Sequence, residues 1–185
     1  MENKFNNLQD IIDSKILDER KVFLWGQVDD NSAKHVIDRL MYLELMQPGK
    51  EIQLIINSPG GYVTSGFAIY DTMKTITSPV STICSGLAAS MGSILLSAGE
   101  KGRRFILPNA RVMIHQPSGG AGGPASDIEI QVDELLKTKK LGAEILAKNC
   151  GKSFEQIMKD FNRDYWMSAD ESVDYGIVDS KLDKI

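Results

Sequence analysis

The chain has 185 residues, 42% of them hydrophobic and 25% charged, which is enough apolar material for one core in a single domain over 1–185. A net charge of −4 with no basic block argues against nucleic acid as a partner. Two distant cysteines, Cys84 and Cys150, and only two histidines give neither a disulfide framework nor a zinc cluster, so no metal is expected.

The first segment, 1–7, is short and polar and lacks the layout of a signal peptide, which points to a cytoplasmic protein with reduced thiols. Leu8, Ile11, Ile12, Ile16 and Leu17 recur at helical spacing and predict an amphipathic helix over 8–17. A short strand over 21–26 follows, ended by glycine. Val36, Ile37, Leu40, Met41 and Leu45 repeat the helical period, with Asp30, Asn31 and Ser32 as candidate N-caps. A buried strand over 52–57 runs into the sharp turn Ser58-Pro-Gly-Gly61, and a helix is expected over 64–76.

The twenty residues from Val80 to Gly99 carry no charge, as a membrane span would. They also carry Thr82, Ser81, Ser85, Ser90, Ser93, Ser97, Gly86 and Gly92, which favours a buried strand over 80–84, a turn, and a helix over 89–99. Strands follow near 104–107 and 111–114, then a glycine-rich stretch over 118–125. Ser126 with Glu129 forms a capping-box pattern opening a long helix to about Asn149. Ser153 with Gln156 and Ser168 with Glu171 open two more helices. Strands alternating with helices predict an α/β domain with largely parallel pairing.

Three residues suggest chemistry. Ser90 stands in G-L-A-A-S-M-G, ahead of an apolar helix whose free N–H groups favour negative charge. His115 closes the apolar run A-R-V-M-I-H-Q-P where a loop begins, and loops are where functional residues concentrate. Asp164 lies in N-R-D-Y-W-M-S-A. A serine nucleophile needs a base to take its proton and a carboxylate to orient that base, and His35 reads as a solvated helix position. Each residue also has a plainer reading: a packing serine, a backbone-bonded histidine, a surface carboxylate paired with Arg163. The segment around Ser90 departs from the G-x-S-x-G elbow, because alanine replaces the first glycine. Gly61, just past a strand end, and the amide of Met91 are candidate donors to an oxyanion, and losing one such donor costs roughly 10²–10³ in rate.

Taken together, I-N-S-P-G-G, G-L-A-A-S-M-G, P-N-A-R-V-M-I-H-Q-P and R-D-Y-W-M-S-A resemble the Clp protease (ClpP) family, in its order and spacing, from about Leu8 to the C-terminus. The resemblance implies a serine endopeptidase with Ser90 as nucleophile, His115 as base, Asp164 as orienting carboxylate, and Gly61 and Met91 as oxyanion donors. It implies a crotonase-like superhelix of strand–strand–helix turns with a projecting handle over 118–149. It further implies two stacked rings of seven subunits enclosing the sites, unfolded protein substrates, and a partner AAA+ Clp ATPase. ATP belongs to that partner, so no cofactor is expected in this chain, and no membrane is involved.

Several positions depart from the family. Asn162 stands where an acid usually pairs across rings with an arginine. Gln53, Ile55, Thr75 and Ser85 occupy positions of the ATPase-docking cleft that are otherwise aromatic or apolar, which removes burial worth roughly 25 cal/mol per Å². The N-terminal segment is shorter and more polar than the usual axial loop, and Gly122 and Pro124 replace common glutamines in the handle. Tyr62 stands beside the glycine turn where smaller residues are common, and is expected to narrow access. These departures imply an alternative: a silent or partner-activated subunit of a mixed complex. A crotonase-type acyl-CoA enzyme would share the backbone but would not account for the serine, histidine and aspartate together.

Overall fold

A computed structural model describes residues 7–183, so the expected N-terminal segment lies outside the described residues except for Asn7. The described residues form seven strands in one mixed sheet and seven helices. The first strand, β1 (Lys21–Trp25), pairs in parallel with β2 (Ile52–Ser58), and β2 with β3 (Val80–Ala89). Beyond β3 come β4 (Arg104–Ile106) and β7 (Ser180–Lys181), also parallel. β5 (Arg111–Ile114) lies parallel to the far half of β3, and β6 (Tyr165–Met167) runs antiparallel to β5.

The central strands read as near-continuous apolar runs because both faces are covered. Leu54, Ile56, Ile83 and Ile106 are fully or almost fully buried, and the core continues into Ile69, Leu95, Leu96 and Leu146 on the helices. Those helices are α2 (Asp30–Met46), α3 (Val63–Thr75), α4 (Met91–Ser97), α5 (Ala125–Cys150) and α6 (Phe154–Asp160). They pack in succession, α2 on α3, α3 on α4, α4 on α5 and α5 on α6. α7 (Ala169–Tyr175) covers β5, β6 and β7. Arg104, almost fully buried, closes a bidentate pair with Asp179 at 2.6 and 3.0 Å and ties β4 to the segment leading into β7. α1 (Leu8–Asp18) contacts β1 but buries none of its residues completely.

The expected elements are present, with boundary corrections. β3 continues to Ala89, five residues past the expected end, and α4 begins only at Met91. The small residues that read as a turn instead form an irregularity inside the strand. Ile56 pairs with Cys84 but Ser58 with Ala88, so β3 carries two extra residues. Gly86 absorbs them at φ +95°, and the Leu87 N–H finds Asn57 Oδ1 at 3.1 Å in place of a ladder partner. α2 is capped by Asp29, not by Asp30, Asn31 or Ser32; Ser32 supplies the reciprocal bond of the capping box. α5 starts at Ala125 after Pro124 with no side-chain cap, so the Ser126–Glu129 box does not form. Pro124 is the N-cap, at φ −56° and ψ 152°, and having no N–H it adds no donor to be satisfied there. Ser168 and Glu171 form the full box that caps α7; Ser153 caps α6 by its side chain alone, because Gln156 Nε2 donates to Asp160 instead of reaching back.

The stretch expected as a handle, 118–149, divides by burial. From Ser118 to Glu134 every residue is exposed, whereas Gly142, Ala143 and Leu146 of α5 are buried against the body. The first half of α5 therefore stands away from the core that holds its second half.

Candidate active site

Strand direction brings the three candidates together. β3 and β5 run in parallel with Ala89 opposite Met113, so both strands end at the same edge. Ser90 follows β3 directly, and its N–H donates to Met113 O at 2.9 Å. His115 follows β5 directly. β6 returns antiparallel with Tyr165 opposite Ile114, which sets Asp164, the residue before β6, beside His115. Residues far apart in sequence thus meet at the carboxyl end of parallel strands, where open α/β sheets commonly place their sites.

The resulting contacts form a relay. Ser90 Oγ lies 2.9 Å from His115 Nε2, and His115 Nδ1 lies 3.0 Å from Asp164 Oδ1. A carboxylate only accepts, so the tautomer that suits this geometry carries hydrogen on Nδ1 and leaves Nε2 free to accept from the serine O–H. The surface pairing of Asp164 with Arg163 is not formed among the described residues; the carboxylate faces the imidazole instead. His35 is exposed on α2, as expected of a solvated position.

Ser90 has an unusual backbone, φ +54° and ψ −123°, and is the N-cap of α4. Such angles are costly for a residue with a Cβ, on the order of 1–3 kcal/mol. Here they turn the hydroxyl off the strand and away from the helix toward His115. Met91, the first residue of α4, has an N–H with no intrahelical acceptor. Across from it, Val28 N–H donates to Gly60 O and Tyr62 N–H donates to Val28 O, with Gly61 between them. Both glycines are required. A Cβ on Gly60 would stand 2.7 Å from Ala89 O and from Ser90 Cβ, and one on Gly61 would stand 2.1 Å from Val28 O. The sequence points to Gly61 and passes over Gly60, although paired glycines after a strand are a signal for both.

An apolar pocket of about 30 Å³ opens beside Ser90 and His115, lined by Val63, Phe67, Met91, Ile94 and Phe161 among others. Tyr62, expected to narrow access, is exposed and does not line it. A larger groove of about 430 Å³ continues along the glycine-rich stretch, between Gly119 and the exposed start of α5. Chemically the arrangement pairs an oxygen nucleophile with a proton acceptor, beside amides and an apolar recess.

The family model for Clp protease matches residues 3–184. The chain belongs to the Clp protease family. Membership accounts for the mixed α/β fold and makes the chain a ClpP-type peptidase. Among the described residues no helix is long and apolar enough to cross a membrane, and the uncharged run Val80–Gly99 resolves into β3 and α4. No group of three or more His, Cys, Asp or Glu among them is arranged to hold a metal ion. Burial pushes the thiols of Cys84 and Cys150 up to about 12, so neither is a ready nucleophile.

Proposed function

We propose that this chain is a serine endopeptidase subunit that hydrolyses unfolded proteins and peptides through Ser90, His115 and Asp164. The unbroken relay of 2.9 and 3.0 Å contacts carries the reading. His115 Nε2 takes the Ser90 proton as Oγ attacks the scissile carbonyl, and Asp164 stabilises the imidazolium. The N–H groups of Gly61 and Met91 receive the oxyanion. Collapse of the tetrahedral intermediate breaks the peptide bond, and Nε2 returns its proton to the leaving amine. Water then attacks the acyl-Ser90 ester with His115 again as base, which releases the acid and restores the serine. The apolar recess beside Ser90 accepts an apolar substrate side chain. No metal or cofactor takes part in these steps.

The working form in this reading is two stacked rings of seven, joined through the handles, with unfolded substrate delivered by an AAA+ Clp ATPase in the cytoplasm. Asn162 favours a second form of it. The residue is exposed and uncharged where relatives place an acid, so it forms no ion pair across rings. A partner-activated subunit of a mixed ClpP-type complex fits that substitution.

The test is fluorophosphonate labelling of the purified chain, with Ser90→Ala as control. Labelling lost in the variant, and peptide cleavage lost by at least about 10³ in Ser90→Ala and His115→Ala, is the expected result. Labelling that needs a second ClpP-type subunit selects the mixed form. Labelling that persists in Ser90→Ala would falsify the assignment of the nucleophile.

A further inference from the structure

Asp164 performs a directional task from an exposed position. Its side chain is 62% exposed, against 27% for that of His115. No packing holds an exposed carboxylate on one partner, and water competes for it. Its aim must therefore come from the backbone beneath it. On the C-terminal side that backbone is fixed by the β5–β6 ladder, with Tyr165 opposite Ile114. On the N-terminal side α6 ends at Asp160, and residues 161–163 intervene before Asp164.

Gln116 spans that gap. Its backbone N–H donates to Phe161 O at 2.5 Å, and its side-chain Nε2 donates to Asn162 O at 2.8 Å. Gln116 is covalently next to His115, so these two bonds tie the segment bearing the base to the segment bearing the carboxylate. The His115–Asp164 contact is then flanked by the ladder on one side and by Gln116 on the other.

We propose that Gln116 is a positioning residue for the proton relay: its side-chain amide holds the 161–164 turn where Asp164 meets His115 Nδ1. The inference rests on the serine-peptidase reading of the same site. Gln116 acts through Asp164 and does not itself exchange a proton. The role needs an N–H donor at this reach. Methionine has the length but no donor, and glutamate has the shape but, when ionised, only acceptors facing a carbonyl.

The experiment is a double-mutant cycle on the full chain, reading the rate at which a fluorophosphonate labels Ser90. The four proteins are wild type, Gln116→Met, Asp164→Ala and the double variant. Gln116→Met is expected to slow labelling about tenfold, the worth of one ordinary hydrogen bond. In the Asp164→Ala background the same change should alter the rate by less than about twofold, because the group it positions is gone. Gln116→Glu provides a second, isosteric variant and should slow labelling at least as much. Equal losses in the two backgrounds overturn the inference, and general destabilisation counts among these because it slows both. An unchanged rate in Gln116→Met and Gln116→Glu overturns it as well. A wild type that takes no label, alone or with a second ClpP-type subunit, overturns the serine-peptidase reading and the inference with it; equal losses overturn only the role of Gln116.

Discussion

Ser90 occupies backbone angles that few side chains tolerate, and its neighbours hold it there. Its N–H is bound by Met113 O, its own carbonyl accepts from Ser93 Oγ at 2.6 Å, and Gly60 packs against its Cβ. A second residue shows how far a single group can be tuned away from the site. Glu44 on α2 accepts from Ser78 N, and from Thr77 N and Oγ, at the turn between α3 and β3. Hydrogen bonds from Ser78 and then Thr77 hold its carboxyl at about 2, below the ordinary 4.5. A carboxyl depressed on folding contributes stability above its unfolded value and loses it as pH falls toward the folded one. The contribution of Glu44 is therefore complete above about pH 4.5 and disappears between there and about pH 2. Glu44→Gln should be less stable than wild type at pH 7, with the gap closing across that window. Urea midpoints measured from pH 7 to pH 2.5 check this; a gap that stays constant with pH would exclude the ionised carboxylate as its source.

At the scale of elements, the decisive feature is the junction of β3 with α4, against which the Ser58–Gly61 turn is packed. The two extra residues in β3 shift its register against β2 by two, so that Ala88, and not Gly86, lies opposite Ser58, and Ser90 follows the strand end. The turn then meets that edge at backbone contact distance. Gly60→Ala would push a methyl to 2.7 Å from Ala89 O and Ser90 Cβ, and Gly60 already sits at φ +88°. The strand end or the turn must shift. Peptide cleavage and fluorophosphonate labelling should fall at least about 100-fold, the scale of a misplaced oxyanion donor. Circular dichroism should stay near wild type, because the contact lies at an edge and the core residues remain. Unaltered labelling would mean that the turn can retreat without cost to the site. The same junction shows why boundaries were harder to read than elements. Small residues from Ser85 to Ala89 resemble a turn locally, and only the pairing of Ala88 with Ser58 and of Leu87 to Ala89 with Arg111 to Met113 makes them strand.

At the scale of the molecule, the outer half of α5 carries exposed apolar side chains with no cover from the core that holds its second half. Ile130 and Leu136 on the outer half of α5 are 62% and 56% exposed, with Val132 nearby. In the proposed ring pair the handles meet there. Ile130→Asp with Leu136→Asp should separate the double ring into single rings or smaller species, seen as a lower mass by light scattering during size exclusion. A double ring of unchanged mass would remove this face from the ring contact. Trp25, 59% exposed on β1, meets Phe23 edge-on at 6.2 Å.

Much of this was legible without coordinates, for physical reasons that differ by element. Apolar periodicity marks α2 and unbroken apolar runs mark the central strands, because burying one helix stripe or both faces of a sheet imposes those patterns. Local chemistry marks Ser153 and Ser168, whose caps close within three residues. The sequence by itself thus determined the α/β class, the order of the helices and of β1 to β5, though not β6 or β7, and, through four separated motifs, the family. It also named Ser90, His115 and Asp164 as a triad through the family resemblance, while the local pattern of each left a plainer reading open. Only the tertiary structure shows the three side chains within hydrogen-bond distance of one another. Strand direction and register, which are set by long-range pairing, bring the ends of β3 and β5 and the start of β6 to one edge of the sheet. The backbone of Ser90, the close approach of Gly60 and the bonds of Gln116 to Phe161 and Asn162 are likewise contacts between distant segments, and no local pattern encodes them.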